Sequence, residues 1–351
     1  MKISEHADLS AATTAAVPDH NNSDAVQSPV RRVLIAIGVQ NLSLIAAIIV
    51  LSVVIGSQNA NFFGPANVRV IGEGVAILGV LAVGQTIIML LGGLDISVGS
   101  QTGLASVVSA MVFTSSGSSI LGVVAALLVG AVAGLVNSLI IVFGRVNAVI
   151  ATLATFAAYR GLVNLISNGS AQGYTGGDDL FTFLSLGSVL GIPVLILVFL
   201  LTAVAVHVLL RFTDIGRNVY AIGDNKVASR LSGINLNKYV ISAYVLMGII
   251  AAIAGVLLTA RTGSGQPTSG SQGLELQAIT AVALGGTALQ GGKGTILGTV
   301  LAVILLGILS NGLQILGVNS FYQDIAQGGL LVAAVVIQQR RKGSRAVGMP
   351  D

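Results

Sequence analysis

A glycine-rich segment with a single lysine, residues 286–294, invites a nucleotide-binding interpretation. A phosphate-binding loop needs glycine where this chain has Thr287, and a serine or threonine where it has Gly294. Without that hydroxyl the segment offers no magnesium ligand, so we exclude ATP hydrolysis by this loop. A tight turn between two helices is the better interpretation.

Other catalytic chemistry is equally restricted by the residue types present. The chain contains no cysteine, which excludes disulfides, thiolate metal ligands and cysteine nucleophiles. His6 and His20 lie in a polar N-terminal stretch, and His207 stands alone near the end of an apolar run. An isolated histidine does not make a metal site, which needs three or four ligands. We therefore expect no catalytic residues, no metal and no cofactor bound by this chain.

The longest charged stretch, residues 211–238, carries the signals of a short helix. Asp224 is placed to cap a helix over 225–232, and Gly233 is placed to end it. The apolar side chains of this helix share one face: Val227, Ala228 and Leu231. Such a helix either lies on lipid headgroups or docks into a partner, and the pattern alone leaves both open.

The amino-acid composition indicates which kind of secondary structure holds these segments in place, and in which environment. Of the 351 residues, 54% are hydrophobic and only 9% are charged, whereas soluble domains carry about 25% charged residues. So little charge cannot cover a water-exposed surface, but it suits a surface that faces lipid. The 45 glycines fit helices that approach one another closely in a membrane.

The fold class predicted is therefore an all-α integral membrane protein, a polytopic bundle of about ten spans. β-barrel spans are rejected because the apolar runs lack alternation. We predict a disordered tail at 1–30, a membrane domain at 31–338 and a basic tail at 339–351. The spans are placed near 33–56, 70–91, 96–113, 120–143, 148–166, 184–210, 239–260, 273–290, 295–316 and 321–338. Those at 96–113 and 273–290 are glycine-rich and interrupted, and either one is a candidate for a partial crossing.

Lysine and arginine placement predicts the orientation. With both termini in the cytoplasm, 14 of the 17 cationic residues fall inside, and only Arg69, Arg160 and Arg261 fall outside. This bias follows the positive-inside rule and favours an even number of spans.

Weak similarity between two parts of the sequence is typical of an inverted repeat. Residues 91–93 and 284–286 both read Leu-Gly-Gly, and Asn137 and Asn147 have counterparts in Asn311 and Asn319. The corresponding spans run in opposite directions in the predicted topology. Chance similarity in a glycine-rich and leucine-rich sequence is the alternative.

Four separated motifs resemble ribose-type ABC sugar permeases. They are the segments 216–234 (GRNVYAIGDNKVASRLSGI), 93–99 (GLDISVG, against the family's GIDLSVGS), 150–161 and 274–292. Together they cover about residues 65–338 in the family's order. Lys226 stands where the family more often has an acidic residue, and Asp224 stands where it often has glycine.

The resemblance implies a permease subunit in the bacterial cytoplasmic membrane, importing a pentose, a hexose or a similar polyol. It further implies an extracytoplasmic sugar-binding protein, a separate ATPase that uses ATP and magnesium, and a second permease as either a copy or a similar chain. The capped helix would then be the coupling helix that contacts the ATPase, with these residues: Gly223, Asp224, Asn225, Ala228, Leu231 and Gly233.

Polar residues inside the spans are candidates for the translocation pathway. Thr152, Thr155 and Tyr159 follow a spacing of three and four and so share one helical face. Uncharged amides also suit a hydroxylated cargo, and the set includes Asn137, Gln277 and Asn311. Hydrogen bonds between helices are the alternative role for each of them. Asp95, followed by Ser97, is expected to cap a helix.

Three other classes remain to be distinguished from a sugar importer. A branched-chain amino acid ABC permease shares the general plan. An ion-coupled secondary transporter would need charged residues at mid-membrane. A membrane scaffold would not need the capped helix.

Overall fold

The computed structural model describes residues 39–173 and 179–342, and most of these residues are helical. The predicted tail at 1–30 lies outside the described residues, as do residues 343–351. The helices are α1 (Val39–Gln58), α2 (Pro65–Leu90), α3 (Val98–Ser116), α4 (Ser119–Val142), α5 (Ala148–Ser167), α6 (Asp179–Leu186), α7 (Val194–Phe212), α8 (Asp214–Asp224), α9 (Lys226–Leu231), α10 (Leu236–Thr262), α11 (Leu274–Leu284), α12 (Ile296–Ile315) and α13 (Ser320–Lys342), with a 3₁₀ turn at Ala60–Phe63.

Seven helices in the described part of the chain are long and apolar enough to cross a membrane: α1, α2, α4, α5, α7, α10 and α12. The prediction of an all-α polytopic protein is confirmed at this level. The count of ten and the cytoplasmic position of both termini stay predictions.

Helix α11 lies in the run at 273–290, one of the two candidates for a partial crossing. It has 11 residues, which at about 1.5 Å per residue is roughly 16 Å, half of a hydrocarbon core about 30 Å thick. The remainder of the run predicted at 273–290 is a turn that leads into α12. This turn occupies residues 285–295. It includes the glycine-rich segment interpreted from the sequence as a tight turn between two helices and not as a phosphate-binding loop.

The span predicted at 184–210 begins later than expected. Its first residues belong to α6 and to a hairpin of β2 (Ser188–Val189) with β3 (Ile192–Pro193). Leu190 and Gly191 both have positive φ, as a two-residue type I′ turn requires. A second pair of strands, β1 (Gln172–Gly173) with β4 (Ser264–Gly265), joins the segment that follows α5 to the segment that follows α10.

Helix α2 lies at the centre of the bundle. From Val75 to Leu90 every residue is buried, so this part of the helix is covered around its whole circumference. It packs against α7, α10, α11 and α12. Helices α4 and α10 approach through glycine, because a Cβ at Gly130 would overlap the carbonyl of Gly248 and one at Gly134 would overlap that of Tyr244.

The two similar segments at 91–93 and 284–286 adopt the same local structure at the end of a helix. At the end of α2, Gly92 N–H bonds to the Met89 carbonyl and Gly93 N–H to that of Ile88. At the end of α11, Gly286 N–H bonds to the Ala283 carbonyl and Thr287 N–H to that of Val282. By these hydrogen bonds Gly92 corresponds to Gly286, and both glycines have positive φ. Aligning the two Leu-Gly-Gly triplets would pair Gly92 with the residue before Gly286, so the structural match is shifted by one residue.

The second pair of matching segments also agrees locally. Asn147 Oδ1 accepts the Val149 N–H at 2.9 Å, and Asn319 Oδ1 accepts the Phe321 N–H at 3.0 Å. Each asparagine therefore sits where the next helix begins. The inverted orientation of the two halves remains a prediction.

Candidate functional site

The stretch predicted to hold a short capped helix contains two helices, α8 and α9. Asn225 caps α9 by accepting the N–H groups of Val227 and Ala228, each at 3.0 Å. The predicted cap, Asp224, is wrong by one residue because Asp224 still belongs to α8. Asn225 instead has the extended backbone that lets a cap side chain reach the first turn.

The end of α9 is confirmed at Gly233. This residue has a φ of +82°, and its N–H bonds to the Arg230 carbonyl at 3.1 Å. Ile234 N–H then bonds to the Ser229 carbonyl at 3.0 Å, which completes a glycine-terminated helix end. Helix α9 is slightly shorter than the predicted 225–232.

The predicted apolar face of α9 points away from the bundle. Val227 is 71% exposed and Leu231 is 84% exposed, and Ala228 is also exposed. Ser229, on the other side, is buried. A helix that buries a serine and exposes its large apolar residues presents a surface for contact with something outside this chain.

Helix α8 carries α9 and is anchored on the turn that follows α11. Tyr220 donates its hydroxyl to the Gly294 carbonyl at 2.9 Å. Burial raises the pKa of Tyr220, so the phenol stays neutral and keeps its proton for this bond. Gly223 lies one turn further on, against the end of α2.

Asp95 is the centre of a buried polar cluster. It is fully buried, and its Oδ1 accepts the backbone N–H of Ser97 at 2.9 Å and the Ser97 hydroxyl at 2.6 Å. Its Oδ2 accepts from Gln101 Nε2 at 3.3 Å and from Asn137 Nδ2 at 3.4 Å. Asp95 therefore closes a turn ahead of α3 rather than capping the first helical turn as predicted.

Tyr159, Thr152 and Thr155 lie beside this cluster. The Tyr159 hydroxyl is 2.8 Å from the Ala133 carbonyl and 3.2 Å from Asn137 Oδ1. Thr152 Oγ1 accepts the Ile96 N–H at 3.1 Å. All four predicted pathway residues in this region are buried within one chain, Thr155 included. Their role in the pathway remains a prediction.

Gln277 and Asn311 lie elsewhere, at a cavity of about 230 Å³ between α2, α11 and α12. Polar groups line it from several elements: Arg261, Gln277, Thr280, Ser310, Asn311 and Gln314. A second cavity of about 550 Å³ shares Gln277 and Thr280 and extends to α13. We name these two spaces the α11 cavities.

The two amides differ in their freedom to bind a ligand. Asn311 forms a reciprocal pair with Asn67, with amide distances of 2.9 and 3.0 Å. The Gln277 side chain makes no hydrogen bond to any residue in the described ranges and is partly exposed to the cavities. Gln277 is therefore the predicted residue with hydrogen-bonding capacity to spare.

The sequence interpretation missed the polar contacts of Arg160 and Glu275. Arg160, counted as an external cation, is partly buried in α5 and donates to the Pro267 carbonyl at 2.7 Å and to Ser271 Oγ at 3.0 Å. Glu275 is buried in the first turn of α11, and its Oε1 accepts the Gly273 N–H at 3.2 Å. The Pro, Gly and Ser content of 265–273 was the available signal that irregular backbone packs here.

A polytopic helical bundle with polar cavities among its helices and an exposed capped helix on one connection is an architecture that suits a membrane permease. The chain belongs to the family described as branched-chain amino acid transport system / permease component, whose model matches residues 74–335.

Several similar proteins are named as sugar permeases. The chain is 40% identical over 298 residues to the ribose import permease of Escherichia coli (strain K12), covering 84% of this chain and 92% of that protein. It is 37% identical to the ribose import permease of Bacillus subtilis (strain 168), covering 86% and 94%. It is 36% identical to the L-arabinose ABC transporter permease of Azospirillum brasilense, covering 81% and 83%. No solved structure matches the chain.

The family and the seven apolar helices make this a multi-pass protein of the bacterial inner membrane.

Proposed function

We propose that this chain is the membrane-spanning subunit of an ATP-driven importer that passes a monosaccharide into the cytoplasm. The observation that carries the proposal is identity of 36–40% to ribose and arabinose permeases over more than four fifths of the chain. A pentose is the favoured cargo, since the names of these relatives refer to pentoses. The resemblance of the four motifs supports the same function.

The α11 cavities suit an uncharged, hydroxylated cargo. Among the described residues, their linings contain amides and hydroxyls but only one charged side chain, Arg261. A branched-chain amino acid carries both an ammonium and a carboxylate, and its ammonium would find no acidic partner among these described lining residues. This contrast favours sugar over the amino acid named in the family's description.

We assign energy input to the exposed face of α9. Its apolar side chains would dock into a separate ATPase, which binds and hydrolyses ATP with magnesium, and this chain would supply no ATPase site. A second permease, either a copy of this chain or a similar one, would complete the pathway, and an extracytoplasmic binding protein would deliver the sugar. The cytoplasmic position of α9 follows from the predicted topology.

Asp95 distinguishes this proposal from an ion-coupled transporter. It is buried, as a residue that carries a coupling ion would be. However, four donors already occupy its two oxygens, so a coupling ion would have to displace them. Asp95 is better explained as a structural acceptor.

Reconstitution tests the function directly. In vesicles that contain this chain, its ATPase and the binding protein, labelled ribose or arabinose should accumulate only when ATP is present on the ATPase side. Omitting either partner should abolish accumulation. Uptake by this chain alone, driven by a proton or sodium gradient, would contradict the proposal.

Gln277 tests the route through the α11 cavities. Gln277→Ala should lower uptake at saturating sugar about 2- to 10-fold, because a passing hydroxyl loses a hydrogen bond of about 0.5–1.5 kcal/mol. The thermal unfolding midpoint should not change, since the Gln277 side chain has no hydrogen-bond partner in the described structure. Gln58→Ala, an exposed glutamine that lines neither cavity, is the matched control. Equal uptake by the two variants would remove Gln277 from the pathway.

A further inference from the structure

Four glycines from three separate parts of the chain meet where α8 contacts the membrane helices. They are Gly92 after α2, Gly223 in the last turn of α8, and Gly291 and Gly292 in the turn after α11. We call this meeting point the glycine junction. Gly223, its member in α8, lies two residues before Asn225, which caps the exposed helix α9.

Gly223 brings the backbone of α8 directly onto that of α2. A Cβ at this position would overlap both the Leu90 carbonyl oxygen and the Gly292 nitrogen. These two atoms are joined to each other, since Gly292 N–H donates to the Leu90 carbonyl at 2.9 Å. The end of α8 therefore rests on a backbone hydrogen bond that ties α2 to the turn after α11.

The other three glycines are constrained in the same way. A Cβ on Gly291 would lie 2.8 Å from the Leu90 oxygen, one on Gly292 would lie 2.8 Å from Asp224 N, and one on Gly92 would lie 2.8 Å from the Gln290 oxygen. All three have positive φ, where a side chain also strains the backbone. The close approach, in addition to the turn geometry, requires glycine.

The segments that meet here lead to the polar sites already described. Gly92 is followed by the loop that carries Asp95, and the turn with Gly291 and Gly292 follows α11, which carries Gln277 and Thr280. Contact between backbones leaves no flexible side chain to absorb a displacement, and packed interiors transmit strain. A shift of α8 must therefore move both segments or break the junction.

We propose that the glycine junction transmits movement of α9 to α11 and to the Asp95 loop, with Gly92, Gly291 and Gly292 as positioning residues for transport. This inference rests on the proposed function. Movement of α9 by the ATPase would pass through Gly223 to the end of α2 and to the turn after α11. The α11 cavities would change shape as a consequence.

The test compares alanine substitutions at glycines whose Cβ would overlap neighbouring atoms with substitutions at glycines where a Cβ has space. Gly292→Ala and Gly223→Ala fill the junction. Gly317→Ala matches Gly292 in backbone strain, because its φ is +76° against +73°, but a Cβ there meets no described residue within 4 Å. Gly161→Ala is the open helical counterpart of Gly223, again with nothing within 4 Å in the described part of the chain.

The measurement is ATP hydrolysed per sugar imported by the complete reconstituted importer. We expect the two junction variants to keep hydrolysing ATP and to raise this ratio at least about 5-fold, whereas both controls keep the wild-type ratio. Tyr220→Phe removes the bond to Gly294 without adding atoms, so it tests the junction even if the alanine variants do not fold. We expect a smaller rise for it, about 2-fold.

A second measurement reports movement itself. The natural chain has no cysteine, so Leu276→Cys introduces a single thiol at an exposed position of α11. Its labelling rate with a maleimide should change on adding ATP, and this change should disappear when Gly292→Ala is combined with it.

The outcomes separate the two proposals. A wild-type complex without ATP-driven sugar uptake would refute the proposed function. A wild-type complex that imports sugar, with junction variants at the wild-type ratio and an unchanged labelling response, would overturn the transmission role. Parallel loss of hydrolysis and uptake in Gly292→Ala, with Tyr220→Phe at the wild-type ratio, would reduce the junction to a packing feature.

Discussion

Leu231→Asp is expected to abolish ATP-driven uptake while the protein still inserts and folds. Leu231 is 84% exposed at the end of α9, so an aspartate there costs the isolated chain little. In a complex, the same change places a charge in an apolar contact and removes an anchor. Truncation of such an anchor costs about 2 kcal/mol or more, which weakens association by at least about 30-fold.

Two measurements check this expectation. Co-purification should show loss of the ATPase from the Leu231→Asp permease, and vesicle uptake should fall to background. Ser232→Asp adds the same charge at the next exposed position, outside the apolar face, and should retain most of the uptake. Wild-type association and uptake in Leu231→Asp would show that α9 is not the docking helix, and its face would then be assigned to lipid headgroups.

The long apolar runs could be predicted from the sequence because hydrocarbon imposes a length and a composition on a crossing helix. The run at 273–290, expected as a candidate for a partial crossing, contains α11, which is apolar because it is buried on most sides and is too short to cross. The prediction was wrong for another run. The run at 184–210 combined a hairpin with α7, and the turn at Leu190 and Gly191 interrupts it without any polar residue.

The ends of short elements were predictable to within one residue. Gly233 was identified correctly because few other residues adopt a φ of +82°. Asp224 and Asn225 are adjacent and both are good cap residues, so the type alone could not separate them. The choice follows from α8, whose last turn includes Asp224 because Gly223 packs against α2. This is a tertiary contact that no local pattern encodes.

The predicted pathway residues show where residue type stops being informative. Thr152, Thr155 and Tyr159 share one buried face of α5 as predicted, and Asn137, on α4, meets that face beside the Asp95 loop. Gln277 and Asn311 border a cavity. Buried amides and cavity-lining amides have the same composition, and only the packing of α2, α11 and α12 distinguishes them.

Asp95→Ala is expected to lower the free energy of unfolding by about 3–5 kcal/mol, the largest stability effect predicted for this chain. The substitution removes the acceptor for four donors: the backbone and hydroxyl of Ser97, Gln101 Nε2 and Asn137 Nδ2. A buried donor left without a partner costs about 1–3 kcal/mol, and the costs within one network do not add fully. Ser97 Oγ remains as a partner for both amides, at 2.6 and 2.8 Å, which limits the loss.

The thermal unfolding midpoint in detergent checks this expectation, and a fall of about 5–10 °C corresponds to the predicted change. The unfolding midpoint of Asp95→Asn should lie between those of wild type and Asp95→Ala. The amide oxygen of asparagine still accepts hydrogen bonds, but its amide nitrogen faces other donors. Asp214→Ala, which removes a carboxylate whose side chain is 80% exposed, is the matched control and should shift the midpoint little. If Asp95→Asn unfolds like wild type but makes uptake independent of an ion gradient, then Asp95 carries a coupling ion and its structural assignment is wrong. If Asp95→Ala and Asp214→Ala unfold at the same temperature, the four hydrogen bonds do not stabilise the loop, and the loop is free to move with Gly92 at its start.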